Sequence, residues 1–208
     1  SATMALSSLG MPMGLVLADI GDTADSNVEI NEVNFPDSEF RRLVSEKVDV
    51  NGDGWLSVEE REITNISIYR YYEDWSYEDY YWLAYDNISD MKGIEFFSNL
   101  TYLYSSGLGI EFLDVSNNTE LTHLYADNNQ LSDLNLSNNP NLVVLNCSSN
   151  SISELDLSNN SKLMDLYCSS NYLDRLDVSG ITELQNFQCY NCQLNELVLG
   201  NQETIQGS

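Results

Sequence analysis

At a spacing of 21 residues the chain repeats one unit: copies open at Leu100, Leu121, Leu142, Leu163 and Leu184, and Ile205 opens another just before the last residue. The unit reads L-x-x-L-x-[CSA]-x-x-N-x-[LI]-x-x-[LF]-x-[LV]. Its apolar positions are spaced alternately by two and three, which suits neither a continuous helix nor a long strand. Such a chain turns a corner, runs a short strand and turns back, dropping each apolar residue into one interior. No single unit can bury that interior alone, so successive coils must stack.

The expected fold is therefore a leucine-rich-repeat solenoid with short parallel strands, about five 21-residue coils, preceded by a small helical N-terminal cap. Two columns inside the unit support it. Ser105, Ala126, Cys147, Cys168 and Cys189 form a column of small inward residues, while Asn129, Asn150 and Asn171 form an asparagine ladder flanked by Leu108 and Cys192. Ladder amides satisfy backbone groups that the turns leave unpaired. The repeats occupy 100–208, and with no polar cap over the last coil the chain is expected to continue past Ser208.

Ahead of the repeats the chain divides into a signal remnant and linker at 1–29, a helical cap at 30–67, and an aromatic insertion with a lead-in coil at 68–99. The apolar run Met4 to Leu17 is too short to cross a bilayer but suits the core of a secretion signal, with Val16-Leu17-Ala18 as its cleavage site. The alternative is an ordinary apolar segment. In the cap, Pro36 and Asp37 start a short helix to about Lys47 whose Phe40, Leu43, Val44 and Val48 share a face. Ile88, Met91, Ile94 and Phe97 are spaced to face a core.

The stretch Asp49 to Glu60 matches the calcium loop D-x-[DN]-x-[DN]-G-x5-E at every position. Calcium takes hard oxygen ligands. Asp49, Asn51 and Asp53 offer side-chain oxygens on alternate residues, Trp55 its carbonyl, Ser57 a hydroxyl or a water, and Glu60 two oxygens, while Gly54 permits the sharp turn. The competing reading is a polar surface turn followed by a capping box, Ser57 to Glu60, that starts another helix. Only one such loop is present, which argues for a structural clip rather than a paired calcium sensor.

With 33 Asp plus Glu against eight Lys plus Arg, the net charge of -25 repels phosphate backbones and anionic lipid, so neither nucleic acid nor membrane insertion is expected. No Gly-rich phosphate loop or nucleophile motif is present, and His123, the only histidine, has no acid in reach: Asp165 sits two coils away, roughly 9–10 Å. No catalytic residue is assigned, and the chain is not read as an enzyme. Cys189-x-x-Cys192 continues two repeat columns, and the cysteines are read as buried free thiols rather than a redox or zinc pair. From Tyr69 to Tyr85 aromatic residues alternate with acids, read either as a ligand-binding loop or as a cap on the N-terminal edge of the stack.

The units LNCSSNSISELDLSNN and LYCSSNYLDRLDVSG resemble the cysteine-containing repeats of internalin-like surface proteins of Gram-positive bacteria. FPDSEF…DVNGDGWLSVEE followed by ISDMKGIEFFSNLTYL is similar to the N-terminal region of secreted leucine-rich proteins of gut Firmicutes. The resemblance runs over residues 30–204 and implies a secreted or cell-surface protein engaged in adhesion or recognition. Leu108, Cys192 and the aromatic insertion depart from the pattern.

A ligand would meet the outward strand positions. These are Tyr102, His123, Val144, Asp165 and Asn186; then Tyr104, Tyr125, Asn146, Tyr167 and Gln188; then Ser106, Asp127, Ser148, Ser169 and Tyr190. From them the predicted ligand face is Tyr102, Tyr104, His123, Tyr125 and Asp127, with Asn146, Asp165, Tyr167, Gln188 and Tyr190. Tyrosine combines contact area with hydrogen bonding, which suits a protein or glycan. The alternative function is a passive spacer or targeting segment of a larger surface protein or enzyme.

Overall fold

A computed structural model describes residues 26–70, 81–84, 86–200 and 206–207. The signal reading of 1–18, the aromatic residues 71–80 and Tyr85, and the ends of the last unit at Ile205 and Ser208 lie outside the described residues.

The described residues begin with β1 (Val28–Glu29) and α1 (Ser38–Lys47), then β2 (Trp55–Leu56), which pairs antiparallel with β1. Helix α1 starts where the sequence places it. Asp37 caps it by accepting the amides of Glu39 and Phe40, and Phe40, Leu43 and Val44 are buried on one face. Asp37 also accepts the Ser89 amide at 3.0 Å, tying the helix to the lead-in coil. There Ile88, Met91, Ile94 and Phe97 are all fully buried, as their spacing predicts.

No second helix follows the loop. A single turn at Val58–Arg61 gives way to β3 (Asn65–Arg70), across the expected division at 67/68. The cause is local pattern: Ile66 and Ile68 alternate with polar residues at period two, and β-branched residues favour a strand. Next comes β4 (Tyr81–Ala84), so both ends of the aromatic run are strands.

The coils each contribute one short strand: β5 (Tyr102–Tyr104), β6 (His123–Tyr125), β7 (Val144–Asn146), β8 (Asp165–Tyr167) and β10 (Asn186–Gln188). Residue i pairs in parallel with i+21 throughout, so Leu103, Leu124, Leu145, Leu166 and Phe187 stack in one inward column. Beyond β5 the sheet continues through β3 to β4, and beyond β10 it reaches β12 (Gln206–Gly207). On the other side of the solenoid β9 (Arg175–Asp177) pairs with β11 (Glu196–Val198). The architecture is the leucine-rich-repeat solenoid that the repeat demands.

Leu100, Leu121, Leu142 and Leu163 are fully buried, whereas in the last coil Leu197 and Leu199 are 40% and 52% exposed. Burial in a stack comes from the neighbouring coil, so internal units bury more than terminal ones. The ladder works as its chemistry requires. Asn129 Oδ1 accepts the amides of Leu108, Gly109 and Ile110, while its Nδ2 donates to the carbonyls of Ser105 and Ala126. Each turn leaves its strand through a left-handed residue at the same register: Gly107, Asn128, Ser149, Ser170 and Asn191 have φ between 55° and 72°. Asn and Gly suit that region, and serine is less at ease there.

Candidate functional site

On the sheet's outer face, alternate residues of each strand project away from the core. Tyr102, Tyr104, His123, Tyr125, Asn146, Asp165, Tyr167 and Gln188 are all half-buried by their neighbours, and Tyr190 is 59% exposed. Val144 is nearly buried between flanking coils. Ser169 departs from its column: it is 2% exposed, with its hydroxyl unpaired among the described residues, so it does not belong to the accessible face. Asp127 accepts the Ser106 hydroxyl and the Asn128 side-chain amide, both at 2.6 Å.

The tyrosines are not spread evenly. Tyr104 lies against Tyr125 with ring centroids 5.7 Å apart, Tyr125 against Tyr102 at 5.6 Å, and Tyr102 against His123 at 5.7 Å. A further ring joins them. Tyr69 of β3 stacks on Tyr104 at 4.6 Å and 20°, because β3 pairs with β5 and puts Asn65, Ser67 and Tyr69 on the outer face. Tyr69 is missed by the repeat columns, which begin at Leu100; the alternation Asn65-Ile66-Ser67-Ile68-Tyr69 was the available signal. Tyr167 is separated from this patch by Asn146.

Burial raises the Tyr125 phenol above its usual value, and the Asp165 carboxylate adds to the effect. Asp165 itself accepts the Asn186 side-chain amide at 2.6 Å. His123 Nδ1 lies 2.9 Å from the Thr122 hydroxyl, which in turn bonds the Thr101 carbonyl. No carboxylate completes an acid-base pair with it among the described residues.

The Asp49–Glu60 loop is wound by its own side chains. Asp49, 7% exposed, accepts the amides of Gly52 and Asp53 on Oδ1 and of Gly54 on Oδ2. Gly52 and Gly54 take left-handed φ of 70° and 82°, which glycine adopts without a Cβ clash. Asn51 and Asp53 accept the amides two residues on. Glu60 folds back across the loop: Oε1 accepts the Val50 amide, and Oε2 the Ser57 amide and hydroxyl. The Ser57 and Val50 hydrogen bonds hold the Glu60 carboxyl below its usual range against a smaller opposing effect of burial. The capping pair Ser57/Glu60 is thus formed, yet it closes one turn and starts no helix. Among the described residues no three His, Cys, Asp or Glu side chains converge as a metal cluster. Within the loop, Leu56 pairs antiparallel with Val28 of β1.

All four cysteines are free thiols; Cys147, Cys168 and Cys192 are buried and Cys189 is half-exposed. Burial pushes the Cys147 thiol up to about 12. Cys192 stands in the ladder and donates to the Cys168 carbonyl at 3.1 Å, as Asn171 one coil earlier donates to the Cys147 carbonyl.

The repeat register defines a leucine-rich-repeat solenoid. It is similar to the functional domain of InlJ from Listeria monocytogenes, which includes a cysteine ladder, at 30% identity and a TM-score of 0.68 over 83% of this chain. Internalin InlF of the same organism superimposes with a TM-score of 0.54 at 21% identity, covering 83% of this chain and 58% of its own. A leucine-rich-repeat protein of Leptospira interrogans aligns over 66% of this chain and 33% of its own, at 20% identity and a TM-score of 0.53. These two share the fold. The chain spans 35% of the InlJ domain's length. It matches no protein-family model and no curated protein.

Proposed function

We propose that this chain is a recognition module, secreted or displayed on a bacterial surface, that binds a protein or glycan on the outer face of its parallel sheet. The observation that carries the proposal is the run of touching rings Tyr69, Tyr104, Tyr125, Tyr102 and His123. Rings held against each other lose little freedom on binding, and amphipathic aromatic anchors dominate recognition surfaces. The similarity to the InlJ functional domain, which includes a cysteine ladder, supports the reading, since this chain carries its own column of Cys147, Cys168 and Cys189.

A glycan array and binding to candidate surface proteins test it, with a Tyr104→Ala/Tyr125→Ala/Tyr167→Ala variant as control. Capture lost by the variant at unchanged circular dichroism supports the reading. Capture that persists in the variant overturns the strand face, and a wild-type chain that captures nothing favours a passive spacer.

The Asp49–Glu60 loop is assigned a structural calcium ion, held by Asp49, Asn51, Asp53, the Trp55 carbonyl, Ser57 and Glu60. What supports this is an all-oxygen donor set on a loop whose first and last members are already folded onto it, Asp49 accepting the Gly54 amide and Glu60 the Val50 amide. Bound there, calcium would stiffen the junction between α1 and β3. Calorimetric titration with calcium should show one site in the wild type and lose it in Glu60→Gln; equal heats from both remove the site.

A further inference from the structure

Resting on the strand-face reading above, we infer that the partner presents a basic stretch of polypeptide, its Lys or Arg side chains lying over the Tyr69–Tyr104–Tyr125 rings with their charges toward Asp127 and Asp165. The rings supply the first half of the fit. Their stacked and tilted packing gathers the rings into one aromatic patch across β3, β5 and β6, an apolar bed for the stems of long basic side chains.

The carboxylates supply the second half. Asp127 is bonded by Ser106 and Asn128, and Asp165 by Asn186; every one of these donors is neutral, and among the described residues no cation pairs with either carboxylate. Asp165 stands on β8 in register with Val144 of β7 and His123 of β6, which puts that charge on the same outer face as the aromatic patch. Among the described residues the ion pairs are made by Arg42 on α1 and Arg175 on β9, and neither belongs to this face.

A face of this kind, on a chain of net charge -25, repels sulfated or phosphorylated ligands and favours a cationic one. Long basic side chains also carry apolar stems that lie flat on aromatic rings, so area and charge are satisfied together.

The test uses immobilised peptides of matched length and aromatic content that differ only in carrying Lys/Arg, Gln or Glu, probed with the intact chain at low and high salt. Basic peptides should be captured, less so as salt rises, and Glu peptides should not. Tyr104→Ala and Asp165→Asn should each weaken capture about ten-fold, the scale of one lost anchor. Asp156→Asn removes the same charge from the opposite side and keeps the Ser158 turn, so it should change capture little. Equal weakening by Asp156→Asn means attraction to bulk charge and overturns the inference. Neutral glycans captured through Tyr104, with basic peptides ignored, overturn it too while leaving the strand-face reading in place. If nothing captured depends on Tyr104 or Tyr125, the strand-face reading itself fails.

Discussion

Replacing Asn150 with Ala tests what holds one coil to the next. Asn150 is 8% exposed in the middle of the stack. Its Oδ1 accepts the Leu131 amide at 3.0 Å, and its Nδ2 donates to the carbonyls of Ala126 at 2.9 Å and Cys147 at 3.0 Å. The two carbonyls keep a partner when the side chain is removed, because Asn129 also bonds Ala126 and Asn171 also bonds Cys147. The Leu131 amide does not, since Asn150 is its acceptor. An orphaned buried amide costs about 1–3 kcal/mol and each lost net hydrogen bond about 0.5–1.5 kcal/mol, so the substitution should cost about 2–5 kcal/mol. Urea unfolding followed by circular dichroism measures that shift, and hydrogen exchange at Leu131 locates it. Asn150→Cys copies the native Cys192, restoring a donor and no strong acceptor; Leu131 should then exchange fast in both variants while the Cys variant is the more stable. A loss below about 1 kcal/mol with Leu131 still protected would refute the ladder as the tie between coils.

Gly93 has φ 106°, and a Cβ there would enter the ring of the fully buried Phe35 and come 2.9 Å from the Asn34 carbonyl. Gly93→Ala should cost about 3 kcal/mol from overpacking and backbone strain, read as a lower urea midpoint. Asp37→Ala removes both the α1 cap and the Ser89 contact, for about 2 kcal/mol, while Asp37→Asn should retain most of the cap; equal losses would contradict the capping role. For the thiols the sign is plain: burial raises the Cys147 pKa to about 12, so at pH 8 its reactive thiolate is scarce as well as shielded. A thiol reagent should label Cys189 first in the native chain and all four cysteines only in denaturant, as mass spectrometry of the labelled peptides would show.

The chain's own repetition determined most of this protein. A 21-residue period written into the covalent order leaves one way to bury Leu103, Leu124, Leu145 and Leu166 together, and stacking then sends Tyr104 and Tyr125 to the outer face. The same period exposed the asparagine ladder and the place of Cys192 in it, because each coil's unpaired backbone recurs at one register. Outside the repeats that leverage is gone. The twelve residues from Asp49 to Glu60 name a metal chemistry, but whether a helix or a strand follows was settled by Ile66 and Ile68 finding the edge of the repeat sheet. Tyr69 reached the outer face by the same event, since strand pairing is chosen by which edge offers free amides and carbonyls, and no periodicity encodes that choice. Ser169 shows the converse: its register points outward, yet its neighbours close over it. The sequence determined where residues stand within a coil; the tertiary structure decided which of them meet, because contact depends on the packing of segments that no repeat connects.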